Sequence, residues 1–359
     1  MLRKLRIVHL PTDLGMRGYS LSRAERRQGH DSTVIVRMAG VHQSGSVRPL
    51  QTRNRLVSAW RWLVALVRTL RADVVMANSG SSLVDFPTRS LHLVDLPLYR
   101  AMGKRVIVTF QGCDVRPCAG CPVRASLPEG VTCVNLPAGS TYEAFDRHKE
   151  LRLARWSAYA DAMLGITPDL CDVPGVRYSP HAKWLEDGGA PAPRPARAPG
   201  DPRPLRVAHM PKPHIKGSEW VEPRLRELCA ERPGRVEYVP IAGMGWAEAL
   251  RTLASCDVLV DQVLIGWYGG ISVEAAMLGV LPLAVVDPAL LRHVEPPLRD
   301  DLPVLGLARK EEVVDALRRL LDDPAELRRE TERCRRSALA HHGAQVMAAD
   351  LAQRYYPAH

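Results

Sequence analysis

Aromatic residues are scarce in this sequence. Phenylalanine occurs three times in 359 residues, and Phe, Trp and Tyr together make up 5%. No stretch interleaves several aromatics with basic residues, so the stacking platforms of single-strand nucleic-acid binders are not expected. Long apolar runs are missing as well. The best candidate, "LVSAWRWLVALVRTL" (56–70), is interrupted by arginines and falls short of the ~18 apolar residues a membrane-spanning helix needs. Its periodicity suits an amphipathic helix covering a sheet. Peripheral contact of Trp60 and Trp62 with a membrane surface is the alternative, and the ordinary helix is preferred. The N-terminal "MLRKLRIVHLP" has an apolar run too short for a secretory signal core and no small-residue cleavage site after it, so a cytoplasmic location is expected. No repeat of fixed period occurs.

What is present is charge, and it is biased. The formal net charge is +10, which suits anionic partners such as nucleotide phosphates. The arginines are scattered through helical patterns such as "ELRLARW" and "DALRRLLDD", where they read as solvated faces, and no nucleic-acid partner is expected. Oligomeric state is not legible. Cysteine is concentrated in one place. "GCDVRPCAGC" (112–121) holds Cys113, Cys118 and Cys121, and Cys133 follows after eleven intervening residues. A Cys-x-x-Cys pair has the spacing of zinc ligands, so these four form a candidate structural zinc site. Free thiols, or a Cys118–Cys121 disulfide, are the other readings.

Strands and helices alternate twice along the chain. "LRIVHL", "DSTVIVRM", "ADVVMANS" and "KRVIVTFQG" are the strands of a first series, and the fourth delivers the cysteine stretch. "GGAPAPRPARAPGDPRP" (188–204) breaks all periodicity and marks a linker. A second series runs through "LRVAHMP", "RVEYVPIAG", "CDVLVDQ" and "VLPLAVVD". The fold class expected is α/β, with two Rossmann-like domains facing across a cleft: residues 1–187, whose cysteine-containing loop is 112–136, and residues 205–340. A last helix, 341–359, is expected to return to the first domain. Ligands in such sheets bind beyond the carboxyl ends of the strands.

Two of those strand ends carry chemistry. "LRVAHMP" leads into "KPHIKGSEW", where Lys212 and Lys216 are compact charges suited to a diphosphate, or else solvated surface lysines. "CDVLVDQ" leads into "VLIGWYGGISVEAAMLG". There Gly269 and Gly270 allow close backbone approach to a ligand, and a helix beginning near Ile271 offers free N–H groups. Glu274, expected in the first turn of that helix, either binds vicinal hydroxyls such as those of a ribose or complements the helix dipole.

These residues resemble a known family. "KGSEW" with "GGISVEAAMLGVLPLAVV", together with "VIVTFQGCDVR" and "ADAMLGITPDLCDVPGVRYSPH", is similar to the retaining family 4 glycosyltransferases of the GT-B fold. The resemblance implies transfer of a sugar from a nucleoside-diphosphate-sugar donor to an acceptor (a small metabolite, a glycan or a lipid-linked molecule), with retention and no catalytic metal. It implies that Lys216 neutralises the departing diphosphate and that Lys212 stands in for an absent arginine. Glu274 would hold the ribose, and Tyr268, Gly269, Gly270 and Ile271 would line the sugar and diphosphate. Ile241 to Gly243 would lie near the base, and Gly15 and Gly18 would close over the phosphates. Gln111, Asp114 and Arg116 would lie on the acceptor side, with Asp114 either catalytic or capping its own loop. Two positions depart from the family. Gly266 stands where an acid usually touches the donor sugar, and Gln111 replaces a histidine. Two other readings stay open: a nucleotide-sugar epimerase of the same fold, and a non-catalytic module binding nucleic acid or protein through a zinc knuckle.

Overall fold

The computed structural model describes residues 3–38, 49–86, 92–127, 129, 131–185, 201–212 and 215–357. Most of the expected linker, 188–204, lies outside them. The chain forms two compact units. The first comprises Met1–Cys118, Leu136–Trp184 and Gly343–His359, and the second Ala119–Asn135 and Leu185–His342. The second half of the cysteine stretch therefore groups with the second unit, although the sequence reading kept 112–136 in the first domain.

The first unit is built on six strands: β1 (Arg6–Leu10), β2 (Asp31–Val34), β3 (Val74–Asn78), β4 (Arg105–Phe110), β5 (Ala162–Gly165) and β6 (Val176–Tyr178). They form one sheet in the order β2-β1-β3-β4-β5-β6, all parallel. Successive strand side chains point to opposite faces, and the core divides accordingly. Val8, Leu10, Val75, Ala77, Val106, Val108 and Phe110 enter one cluster. Ile7, Val74, Met76 and Ile107 enter the other. Both faces are buried, as parallel sheets require. The helices are α1 (Arg17–Arg27), α2 (Arg55–Arg71), α3 (Leu96–Ala101) and, beyond the short α4 (Pro122–Ala125) of the second unit, α5 (Tyr142–Tyr159).

The second unit carries β7 (Leu205–His209), β8 (Val236–Pro240), β9 (Val258–Val260), β10 (Leu281–Val285) and β11 (Leu305–Leu307). Their order is β11-β10-β9-β7-β8, again parallel throughout. Its helices are α6 (Ser218–Glu231), α7 (Trp246–Ala254), α8 (Gly270–Met277), α9 (Pro296–Arg299), α10 (Glu312–Asp322) and α11 (Pro324–His342). The last helix, expected over 341–359, is α12 (Ala344–Tyr355), which starts after a break at Gly343 and belongs to the first unit. There Ala344, Met347, Ala348 and Leu351, spaced for one helix face, join Leu21 and Ala24 of α1 in the core.

The helix expected over 56–70 is α2, and its inner face packs against the sheet's core through Ala65 with Trp62 beside it. Ala65 and Thr69 are its buried residues, while Leu56, Trp60 and Leu63 are exposed. Among the described residues no helix is long and apolar enough to cross a membrane.

Candidate functional site

In the second unit the sheet order reverses between β7 and β9, and open parallel sheets bind ligands outside the strand carboxyl ends at such a point. The loops leaving β7 and β9 carry Lys216 and Asp261. The Lys216 Nζ lies 2.7 Å from Asp261 Oδ1. Asp261 Oδ2 accepts from the Gly269 N–H at 2.8 Å and from the Ser272 hydroxyl at 2.7 Å. One fully buried carboxylate thus ties the lysine loop, the strand end and the start of α8 together. Burial pushes the Asp261 carboxyl up, but Lys216 and the two hydrogen-bond donors outweigh it and hold the group below its ordinary value. Gly270 and Ile271 open α8, where N–H groups have no acceptor within the helix. The result is a positive helix end beside an ammonium whose side chain is 12% exposed, an arrangement suited to an anion.

Two further details fix Lys216. Gly217 follows it in the left-handed region (φ +78°), and a Cβ there would lie 2.6 Å from Val263 Cγ2. Only glycine combines that conformation with that clearance. Behind the loop, the buried His209 has Nδ1 at 2.7 Å from the Val260 carbonyl and Nε2 at 2.8 Å from Ser218 Oγ. Burial lowers the His209 pKa, and Lys216 adds to the effect. The neutral tautomer donates from Nδ1 and accepts the Ser218 hydroxyl at Nε2. Ser218 Oγ then accepts from the Lys212 N–H at 2.9 Å. The Lys212 side chain itself is exposed.

Other expected donor residues divide differently. The Gly269 backbone belongs to the Asp261 cluster, and its ideal Cβ would stand 2.9 Å from Asp261 Oδ2. The Tyr268 side chain is wholly buried. It stacks on Trp267 and its hydroxyl lies 3.1 Å from His342 Nε2, so it anchors the end of α11 instead of lining a binding surface. Ile241 is also core, whereas Gly243 lies in an exposed turn (φ +69°). Glu274 is 2% exposed and sits beyond the first turn of α8, which contains no acid. The dipole-complementing role considered for it does not apply there, because that effect falls off within the first turn.

In the first unit the corresponding reversal lies between β1 and β3. The Gly18 N–H donates to Asp13 Oδ1 at 2.7 Å, and the Gly15 carbonyl accepts from Lys183 Nζ at 2.9 Å. The Gly18 donor is thereby already engaged. Asp114 accepts from the N–H groups of Gln111 and Gly112 at 2.8–3.0 Å, which is the loop-capping geometry. Burial pushes its carboxyl up while those N–H groups and Arg116 oppose the rise. Arg116 Nε is 2.5 Å from Asp169 Oδ2 and its Nη2 is 3.3 Å from Thr167 Oγ1. Arg116 is thus held as a structural ion pair.

None of the eight cysteines, all of them among the described residues, is in a disulfide. The Lys149 ammonium donates to Cys118 Sγ (3.2 Å) and to Asp146 (2.9 Å). Cys118 thus serves a lysine–aspartate cluster, and burial pushes its thiol up. Among the described residues no group of three or more His, Cys, Asp or Glu side chains is gathered as a metal ion would need. Of the four cysteines considered for a zinc site, Cys113 and Cys118 lie in the first unit and Cys121 and Cys133 in the second.

Sequence reasoning missed Asp261, Ser272 and His209 as parts of the site. Asp261 had a readable signal: it ends the apolar run "VLV" eight residues before the paired glycines, so a charge at a buried strand end needed a partner.

No protein-family model matches the chain, and no curated protein matches it in sequence. Solved structures match along almost its whole length. Sucrose-phosphate synthase from Thermosynechococcus elongatus aligns over 98% of both chains with a TM-score of 0.56 at 15% identity. An alpha-glucosyltransferase in complex with UDP-glucose and DNA containing an abasic site covers 98% of this chain and 99% of its own, with TM-score 0.61 at 10% identity. HepE from Anabaena, in complex with UDP-glucose, covers 97% and 98%, with TM-score 0.57 at 10% identity. At such identities the likeness is one of fold. The two parallel-sheet α/β domains of this chain have the GT-B fold of glycosyltransferase structures.

Proposed function

We propose that the protein is a glycosyltransferase that takes its sugar from a nucleoside-diphosphate-sugar donor. The observation carrying this reading is the Lys216–Asp261–Ser272 cluster, which holds an ammonium beside the N-terminus of α8 at the reversal of the second sheet. When the bond from the anomeric carbon to the diphosphate breaks, its electron pair stays on the diphosphate oxygen. Positive groups fixed in advance stabilise that growing charge without reorganising. Lys216 and the N–H groups of Gly270 and Ile271 supply them, so the reaction is read as one without a catalytic metal. Glu274, one turn further along α8, takes the ribose hydroxyls on this reading. The acceptor oxygen forms the new bond to the anomeric carbon, and its proton goes to the departing diphosphate oxygen. Retention follows from the sequence resemblance alone.

Thermal unfolding with and without UDP, GDP and their glucose conjugates tests the donor half of this proposal. At least one diphosphate is expected to stabilise the protein. Lys216→Ala is expected to weaken that ligand roughly 10- to 100-fold, the usual worth of a charge-assisted contact, while Lys216→Arg retains part of the affinity. Each variant is read against its own ligand-free baseline. Unchanged affinity in Lys216→Ala would remove the assignment. Proton NMR after incubation with donor alone separates transferase from epimerase, because only the latter turns the donor into an isomer of the same mass.

A further inference from the structure

The apolar residues of α2 point two ways. Ala65 and Thr69 are buried, and half-buried Trp62 packs against the core with its ring 5.7 Å from that of Phe86. The opposite face carries Leu56, Trp60, Leu63 and Val67, which are 82%, 65%, 52% and 37% exposed. Their spacing of four, three and four residues aligns them as one continuous stripe along the helix. Leu66 and Val57, both also exposed, flank it. Beside the stripe is an open hollow of about 510 Å³ with Val34, Ile35, Leu50 and Val64 in its lining and Arg61 and Arg68 among its residues. Four large apolar side chains in a row on a soluble surface mark a contact site.

Charge decides the occupant. Residues 51–72 contain five arginines (Arg53, Arg55, Arg61, Arg68 and Arg71) and no acidic residue. A stripe with this spacing would also suit a second helix. A second copy of α2, however, would bring arginines against arginines with no carboxylate between them, and like charges juxtaposed at an interface oppose association. An anionic bilayer surface meets both features. Apolar side chains sink a few ångströms into the boundary of headgroups and acyl chains, and flanking arginines stay at the phosphates. Tryptophan is favoured at that depth because its ring is apolar and its N–H polar. We propose that α2 docks the protein peripherally on membranes carrying anionic lipids, through Leu56, Trp60, Leu63 and Val67 with Arg55, Arg68 and Arg71 as electrostatic contacts.

Flotation of the full chain with two sets of vesicles tests the proposal: phosphatidylcholine alone, and phosphatidylcholine mixed with phosphatidylglycerol. Binding is expected on the anionic vesicles and not on the neutral ones. Trp60→Ser with Leu63→Ser should weaken partitioning at least about tenfold through lost apolar burial. Arg68→Gln with Arg71→Gln should weaken it about thirtyfold at one contact per arginine. All four positions lie on the outer face, and the thermal unfolding midpoint of each variant checks that the fold is retained. Sedimentation analysis without vesicles completes the test. The proposal is overturned by failure to bind anionic vesicles. It is equally overturned by binding that survives both double substitutions, or by self-association or a protein complex that disappears with Trp60→Ser and Leu63→Ser.

Discussion

Gly266 occupies the position where the resembling family carries an acid, and the local geometry refuses one. Its φ is +74°, its ideal Cβ would stand 3.0 Å from the Cβ of Asp287, and its carbonyl accepts the Asp287 N–H at 2.9 Å. A side chain there meets both an unfavourable backbone conformation and a neighbouring residue. Gly266→Glu should therefore destabilise the protein by about 1–3 kcal/mol, the range for strained non-glycine conformations, without strengthening donor binding. Urea unfolding together with ligand-induced thermal shifts measures both. A variant as stable as the parent with tighter sugar-nucleotide binding would contradict this account. Sequence alone could identify the missing acid at this position but not the reason, because the reason lies in a contact 21 residues away. Tyr268 failed in the same way. Its place beside two glycines read as a ligand-facing loop, while the space available under that loop drew the ring into the core against Trp267 and His342.

At the scale of elements, the strands and the helix starts were legible because hydrophobic runs and glycine turns are local signals. The stitching between elements was not. Asp261 joins the end of β9 to the first turn of α8 and to the lysine loop ahead of α6. Replacing one partner of a buried ion pair leaves the other uncompensated. Asp261→Asn should cost about 3 kcal/mol, at the low end of that effect because Lys216 can reach solvent. The pH dependence follows from the same contact. The folded-state pKa of Asp261 is depressed, so its stabilisation is fully present above the unfolded value near 4. It is lost as the pH falls through the lower folded value. Denaturant titrations across the acid range should show the parent losing this contribution and Asp261→Asn lacking it from the start. An identical acid limb in the two proteins would assign the stabilisation elsewhere. The two-sided pattern of α2 also belongs to this scale. Its hydrophobic positions run almost around the helix, so periodicity announced a helix without indicating which side the sheet would cover.

For the whole molecule, the decisive fact is that neither unit is a continuous stretch of chain. Residues 119–135 group with the second unit, and Gly343–His359 with the first. The return is built into the core. Met347 and Leu351 are buried against α1, and the Tyr356 hydroxyl lies 2.5 Å from Glu25, whose other oxygen holds His9 and Ser32. The Ala344 N–H donates to the Lys183 carbonyl at 2.9 Å, closing the C-terminal segment onto the end of the first unit. Cutting the chain in the proline-rich stretch would therefore not release two complete domains. A fragment spanning residues 1–185 would expose the α1 surface that α12 covers and leave the buried Glu25 without its tyrosine. Each large apolar side chain of α12 contributes about 1.5–3 kcal/mol when buried, against total stabilities of roughly 5–15 kcal/mol for a domain. The fragment should therefore lack a cooperative thermal transition. Joining residues 343–359 to it through a flexible linker should restore one, and Tyr356→Phe in that joined form should lower its midpoint. A cooperative melt of residues 1–185 alone would mean that the six-stranded unit is self-sufficient and that α12 is only an accessory to it.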